Sequence, residues 1–152
     1  MRYDIAIIGA GPGGYVAAIR AAQLGAKVVL IENDNLGGTC LNWGCIPSKA
    51  TITCADKYDS LKKFSKFGIN IENFSFDYQK ISERKWSVVE KLRKNLTQLI
   101  KSHKIDVILG EGCIESPNKV KVIKENEEVL VEFDKLIIAT GSRPTSLPAV
   151  EV

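Results

Sequence analysis

Residues 3–14 read YDIAIIGAGPGG, and this stretch decides the fold. Tyr3 to Gly9 is an apolar run that ends in glycine, which is typical of a strand buried on both faces of a parallel sheet. Gly13 to Leu24 is rich in alanine and other helix formers, and Gly25 stops it. Lys27 to Glu32 reads as a second buried strand. About thirty residues therefore form a strand–helix–strand unit.

The glycines of this unit have the spacing GxGxxG, at Gly9, Gly11 and Gly14. The first glycine permits a tight turn, the second lets a pyrophosphate approach the backbone, and the third lets the helix pack close to the strand. The helix N-terminus presents free N–H groups to the phosphates. Glu32 ends the second strand, where its carboxylate can accept hydrogen bonds from both ribose hydroxyls of an adenosine and repel a 2′-phosphate. This pattern fits FAD and NAD equally well.

The composition is that of a folded domain of ordinary size. The chain has 152 residues, of which 45% are hydrophobic and 26% charged, and this excludes a disordered chain, a collagen and a disulfide-stapled miniprotein. No apolar stretch approaches the roughly 20 residues of a membrane-spanning helix. The net charge of +3 is spread along the chain and gives no reason to expect nucleic acid or a membrane as partner. The first strand leaves no room for a secretory signal, so we expect a bacterial cytoplasmic protein rather than a mitochondrial one.

Further elements are predicted downstream of a loop at 33–38. Helices are expected from Pro47 toward Lys66, with Gly68 as the stop, and from the N-cap Asp77 to about His103. The predicted strands are a third buried strand at 105–109, an antiparallel meander of 112–115, 119–123 and 128–133 with turns at 116–118 and 125–127, and a fourth buried strand at 135–139. The expected fold class is α/β, a Rossmann-like domain with a parallel sheet, crossover helices and a small antiparallel β-meander.

Gly37 to Lys49 reads GGTCLNWGCIPSK, in which four residues separate Cys40 from Cys45. In an unbroken helix, positions five apart are rotated by about 140° and displaced by about 7.5 Å. A disulfide needs Cα atoms roughly 4.4–6.8 Å apart. A bond between these cysteines therefore requires a distorted turn, which Gly44 permits. Pro47 suits the first turn of a following helix, whose positive end favours a thiolate.

Two other interpretations of the cysteines are weaker. They are two unrelated buried cysteines, or they bind zinc. Zinc needs four ligands, and the single histidine, His103, lies far along the chain. No metal site is expected.

The glycine loop, Glu32, the block at 37–49 and ATGSRP at 139–144 together resemble the flavin disulfide reductases. The resemblance spans residues 1 to about 148. Three residues of the cysteine block, Leu41, Ile46 and Ser48, favour the branch of this family that oxidises dihydrolipoamide. The glutathione and trypanothione branches more usually carry valine, valine and lysine there.

The resemblance implies two catalytic residues and a cofactor, FAD. Cys45 would lie against the flavin as the charge-transfer thiol, and Cys40 would be the outer thiol that exchanges with substrate. Lys49 would sit near flavin N5, and Gly112 would meet the adenine through its backbone. The implied FAD-binding set is Gly9, Gly11, Pro12, Gly13, Gly14, Glu32, Asn33, Gly38, Thr39, Cys40, Cys45, Lys49, Gly112, Thr140, Gly141 and Ser142.

The same resemblance implies a reaction and partners. Dihydrolipoamide on a lipoyl domain of 2-oxo acid dehydrogenase complexes would exchange into a Cys40–Cys45 disulfide, with FAD passing the electrons to NAD⁺ as co-substrate. Enzymes of this family are homodimers with a second Rossmann domain for NAD and an interface domain that supplies a His–Glu base. We therefore expect residues 1–147 to be an FAD-binding domain, and residues 148–152 to begin a linker to an absent NAD-binding domain. Such a fragment would be inactive alone.

Two alternatives to this interpretation stay open. One is a fragment of another flavin disulfide reductase, such as a mercuric or glutathione reductase. The other is a free-standing FAD-binding module.

Overall fold

The computed structural model describes residues 2–124, 127–143 and 145. Within these residues, six strands form one sheet beside four α-helices. The strands are β1 (Arg2–Ile8), β2 (Val28–Glu32), β3 (Asp106–Leu109), β4 (Glu111–Ser116), β5 (Lys119–Ile123) and β6 (Glu128–Ile138). The helices are α1 (Pro12–Gln23), α2 (Gly38–Asn42), α3 (Cys45–Leu61) and α4 (Tyr78–Ser102), with a short 3₁₀ helix at Phe64–Phe67.

The strands lie in the order β3-β2-β1-β6-β5-β4. The first four are parallel, whereas β6, β5 and β4 pair antiparallel. At the centre, Ile8 of β1 lies opposite Ile31 of β2 and Ile138 of β6. The predicted fold class, a mainly parallel sheet with an antiparallel meander, is confirmed.

The two faces of the sheet are covered differently. On one face, α1 and the C-terminal half of α4 pack on the central strands, with Ala18, Leu96 and Ile100 against Ile7 and Leu30. The other face is covered by the meander itself, whose core residues Val120, Val122, Val131 and Phe133 pack with Tyr3, Ala6, Ile8, Val29 and Ile31. The parallel sheet is therefore buried on both sides, which explains the apolar runs of β1 and β2.

The last strand differs from the prediction. We expected separate strands at 128–133 and 135–139, but β6 is continuous from Glu128 to Ile138. Glu132 pairs with both Lys119 of β5 and Arg2 of β1, so the meander passes into the parallel sheet without a turn. Asp134 does not break the strand because its side chain points outward and forms an ion pair with Arg2 at 2.7 Å.

The third strand also differs from the prediction. β3 was expected to be buried, but it lies at one edge of the described sheet, with Asp106 and Leu109 exposed. It has β2 as its partner on one side.

The helices follow their predicted signals closely. The Asp77 side chain caps α4 by accepting a hydrogen bond from the Lys80 backbone N–H at 3.1 Å, and His103 ends the helix. α3 begins at Cys45, two residues before the predicted Pro47, and ends at Leu61 rather than continuing toward Lys66. No helix in the described part of the chain is both long and apolar enough to cross a membrane.

Some predicted features lie beyond the described residues. They are positions 125 and 126 of the predicted turn and the predicted linker at 148–152.

Candidate dinucleotide and dithiol site

A cleft of ≈ 1040 Å³ opens at the carboxyl ends of β1, β2 and β6. Loops that follow neighbouring parallel strands meet at one edge of the sheet, which is where such folds bind ligands. Most of the predicted site residues line it: Gly9, Gly11, Pro12, Gly13, Glu32, Asn33, Gly38, Thr39, Cys40, Cys45, Gly112, Thr140, Gly141 and Ser142. The glycine loop and the cysteine block therefore face the same space. Gly14 and Lys49 are not among the lining residues.

The glycine loop is held by close backbone contacts. The N–H of Gly9 donates to the Ile31 carbonyl at 2.8 Å, and its φ of 98° is one that a side chain disfavours. A Cβ on Gly9 would also overlap the carbonyl oxygen of Ala139. A Cβ on Gly14 would overlap the carbonyl oxygen of Gly9. Gly14 is buried behind the loop, so it supports the turn rather than the wall of the cleft.

Glu32 ties the end of β2 to this loop. Its side-chain oxygen Oε2 accepts from the Ala10 N–H at 2.7 Å, and Oε1 accepts from the N–H groups of Asn33 and Asp34 at 2.9 and 3.0 Å. The residue is only 9% exposed. A carboxylate offers about four lone-pair sites, so three bonds leave one acceptor position for a ligand. Glu32 is therefore held rigidly by the backbone while it still faces the cleft.

The cysteine block forms a broken helix. α2 ends at Asn42, Trp43 and Gly44 redirect the chain, and α3 begins at Cys45. The Thr39 carbonyl accepts from both the Trp43 and Gly44 N–H groups, at 2.9 and 2.7 Å. The chain therefore has the distorted turn that a bond between these cysteines would require. The break replaces the unbroken-helix geometry that would have separated Cys40 from Cys45.

The cysteine block also lies directly on the glycine loop. The Gly37 N–H donates to the Ala10 carbonyl at 2.9 Å. Gly38 has a φ of 57°, and a Cβ there would lie 2.6 Å from the Cα of Gly11. Only a residue without a side chain allows this approach of the two loops.

Both cysteines of the turn are free thiols with different surroundings. Cys40 is half-buried and Cys45 is exposed. Hydrogen bonding to Cys45 raises the pKa of the Cys40 thiol above its ordinary value, burial and the charge of Cys45 raise it further, and Lys49 opposes them. Cys45 is the first residue of α3, so its side chain lies at the positive end of that helix. Lys49, one turn further along α3, is exposed, and its charge lowers the pKa of Cys40.

Sequence reasoning missed a hydrogen-bonded pair next to the cysteine block, formed by a buried asparagine and a half-buried arginine. Asn42 is 1% exposed, and its Nδ2 donates to the carbonyls of Gly38, Leu36 and Asn35 at 3.0, 3.2 and 3.4 Å. Its Oδ1 accepts from Nε of Arg93 in α4 at 2.9 Å. An asparagine between two cysteines reads as a turn former, and no periodic pattern pairs it with a residue 51 positions away.

Several cleft residues were also missed. They are Ile8, Ile31, Asp34, Asn35, Trp43, Gly44, Gly110, Glu111, Ala139 and Arg143. Most of them directly end or follow a parallel strand or border a predicted site residue, so the strand-end rule was the available signal. The described residues contain no group of three or more histidine, cysteine, aspartate or glutamate side chains that could hold a metal ion.

Comparisons with known proteins agree in pointing to one family. Residues 3–152 match the family model described as pyridine nucleotide-disulphide oxidoreductase. The chain is 51% identical over 145 residues to dihydrolipoyl dehydrogenase of Bacillus subtilis, covering 95% of this chain and 31% of that protein. It is 49% identical over 142 residues to the Geobacillus stearothermophilus protein of the same name, covering 93% of this chain and 30% of that protein. It is 47% identical over 148 residues to dihydrolipoyl dehydrogenase of Chlamydia trachomatis, covering 97% of this chain and 32% of that protein.

A solved structure shares the fold. It is the Cu(II) complex of the HOCl-induced flavoprotein disulfide reductase RclA from Escherichia coli, with a TM-score of 0.79 and 27% identity. The match covers 97% of this chain and 30% of that chain. The chain therefore spans about a third of the length of the relatives that it matches.

Proposed function

The chain belongs to the pyridine nucleotide-disulphide oxidoreductase family, and on that premise we propose that it is the FAD-binding part of a dihydrolipoyl dehydrogenase. One observation carries the proposal. The Cys40–Cys45 turn lies in the same cleft as the glycine loop and Glu32, so a dithiol faces a dinucleotide-binding surface.

FAD fits the residues that line the cleft. Gly11 and Gly13 carry no side chains, and a Cβ on either would have no neighbour closer than 3.8 Å, so the backbone at the start of α1 is open to a pyrophosphate. The remaining acceptor position on Glu32 would take a ribose hydroxyl. The carboxylate would repel a 2′-phosphate, and the neighbouring Asn33 and Asp34 offer no cation, which favours FAD over an NADP-type dinucleotide. When bound, FAD supplies an acceptor for the two electrons of the dithiol and a donor of hydride to NAD⁺.

The dithiol would act by thiol–disulfide exchange. In the oxidised enzyme, a substrate thiolate attacks Sγ of Cys40, the Cys40–Cys45 bond breaks, and Cys45 leaves as a thiolate. The second substrate thiol then displaces Cys40 and closes the substrate disulfide. The substrate has lost two electrons and two protons, and the cysteines have gained both electrons. The sulfur that leaves first, that of Cys45, lies at the start of α3.

We extend the proposal to the whole protein of which such a domain is part. Its substrate would be dihydrolipoamide carried on a lipoyl domain of a 2-oxo acid dehydrogenase complex, its co-substrate NAD⁺, its form a homodimer and its location the bacterial cytoplasm. Residues 1–147 would be the FAD-binding domain. Cys40 would be the outer thiol and Cys45 the thiol at the flavin, with Lys49 beside flavin N5.

The first test is the identity of the bound dinucleotide. The protein is purified, its ligand is released by heat, and the ligand is identified by mass. FAD is expected; NADP or NAD alone would refute the assignment of the cleft. The same material should not produce NADH from dihydrolipoamide and NAD⁺, because the described residues include no second dinucleotide site.

The second test separates the two sulfurs. In the full-length flavoprotein, Cys40→Ser should keep a long-wavelength charge-transfer band after reduction, since the Cys45 thiolate still faces the flavin. Cys45→Ser should lose the band, and Cys54→Ser should behave as wild type. A band that survives only in Cys45→Ser would reverse the roles. A band that survives in both variants would place these cysteines away from the flavin.

A further inference from the structure

A part-buried hydrogen bond joins the dithiol turn to the longest helix of the described residues. Asn42 is the last residue of α2, which carries Cys40, and it lies three residues before Cys45. Its amide contacts the carbonyls of two residues in the loop before α2, the carbonyl of Gly38 at the start of α2, and the guanidinium of Arg93 in α4. No other polar side chain of the described residues holds α2 to α4 in this way.

The hydrogen-bonding capacity of Asn42 is almost fully used. The two hydrogens of Nδ2 are shared among three carbonyl oxygens at 3.0 to 3.4 Å, and Oδ1 accepts from Arg93. Among the described residues, Arg93 makes no ion pair, and its side chain donates a hydrogen bond to Asn42 alone. Its contact with Asn42 is therefore the polar link between the turn and α4, beside the edge-to-face contact of Trp43 with Trp86.

The dithiol turn needs such a support. α2 has five residues, which is too short to be stable without outside contacts. A disulfide forms only when the Cβ atoms come within about 3.5–4.5 Å of each other. Small rotations of α2 against α3 would therefore lower the effective concentration of one thiol at the other.

We propose that Arg93, acting through Asn42, is a positioning residue that holds Cys40 and Cys45 in the geometry for disulfide closure. The inference rests on the proposed thiol–disulfide exchange and extends it to a residue outside the cleft. Arg93 touches neither sulfur, so its effect is on the equilibrium between dithiol and disulfide.

The test measures that equilibrium in the 152-residue chain, with neither flavin nor lipoyl substrate. The protein is equilibrated with reduced and oxidised glutathione, quenched with acid and alkylated, and the Cys40–Cys45 disulfide is quantified by peptide mass. In this exchange the Sγ–Sγ bond of the cysteines forms, the bond of one glutathione disulfide breaks, and the two thiol protons pass to two glutathione molecules. The result is the effective concentration of the two protein thiols.

Adjacent positions of α4 provide a matched control. Arg93→Met and Lys94→Met each remove one positive charge from the same helix, but only the first loses the contact with Asn42. Arg93→Met should lower the effective thiol concentration roughly tenfold, Arg93→Lys should recover most of it, and Lys94→Met should match wild type. The proposal would be overturned if the effective thiol concentration of Arg93→Met lay within twofold of that of Lys94→Met while circular dichroism showed both variants to be folded.

Three other results of this experiment also have a defined interpretation. If Arg93→Met does not fold, the milder pair Arg93→Gln and Lys94→Gln replaces it, with the same expected order and the same refuting result. If the wild-type chain forms no Cys40–Cys45 disulfide at any glutathione ratio, the proposed exchange itself is wrong and this inference falls with it. Equal values in all folded variants, with a normal wild-type disulfide, refute the positioning role alone.

Discussion

Replacing Glu32 with glutamine should destabilise the fold, even in the absence of ligand. The substitution keeps the shape of the side chain but turns one acceptor oxygen into an NH₂ group. If the remaining oxygen faces Asn33 and Asp34, the NH₂ meets the Ala10 N–H, which now has no acceptor. An unsatisfied buried donor costs about 1–3 kcal/mol, and two bonds that lose their charged acceptor weaken by about 1 kcal/mol each.

The expected loss is about 3 kcal/mol, because burying a neutral amide is less costly than burying a charge and offsets part of the sum. For a domain of this size that lowers Tm by about 9 °C. The measurement is urea and thermal unfolding followed by circular dichroism. The matched control is Glu111→Gln, at an exposed residue of the same cleft whose side chain makes no hydrogen bond or ion pair with a described residue.

The result that would refute this reasoning is a Glu32→Gln variant as stable as Glu111→Gln. The backbone contacts of the carboxylate would then contribute nothing to the unliganded fold. Glu32 would serve the ligand alone.

Three further predictions concern packing, pH and thiol reactivity. Gly14→Ala should unfold the chain or lower its Tm well below that of Gly13→Ala, because only the first places a Cβ on a carbonyl oxygen of the loop; equal melting temperatures would contradict this. Burial raises the pKa of Tyr3 to about 12, so its contribution to stability is complete below pH 10 and is lost as the pH rises toward 12; Tyr3→Phe should be less sensitive to pH over that interval, as followed by urea unfolding. Cys45→Ala should speed alkylation of Cys40 at pH 8, because the neighbour that raises its pKa is gone, and an unchanged rate measured by mass spectrometry would argue against the contact.

Local sequence signals predict the elements whose causes are local. β1, α1 and β2 follow from apolar runs and glycines that are close in the chain, and the Asp77 cap fixes the start of α4. The strand-end rule then brings most predicted site residues to one cleft. These features need no knowledge of distant residues.

The differences from the prediction have distant causes. Two strands were predicted on either side of Asp134, but the pairing of Glu132 with both Lys119 and Arg2 carries β6 past that position without a turn. The apolar sequence of β3 predicts a buried strand, but β3 lies at one edge of the described sheet. That position depends on the order of all the strands, which a local pattern does not contain. Asn42 and Arg93 each read as ordinary surface or turn residues, and only the fold brings them together. A pattern within a few residues cannot report contacts across most of the chain.

The pairing of β1 with β6 has a consequence for the order of events during synthesis. The register places Arg2 opposite Glu132 and Ile8 opposite Ile138, so the centre of the sheet joins segments about 130 residues apart. At about 5–20 residues per second, a ribosome needs on the order of ten seconds between these strands. Until β6 has been synthesised, β1 lacks its neighbour on one side. Ala139, whose carbonyl lies against Gly9 of the glycine loop, is also not yet present. A nascent chain therefore completes its ligand cleft only after β6 has docked beside β1, and a dinucleotide that needs the whole cleft binds after that step.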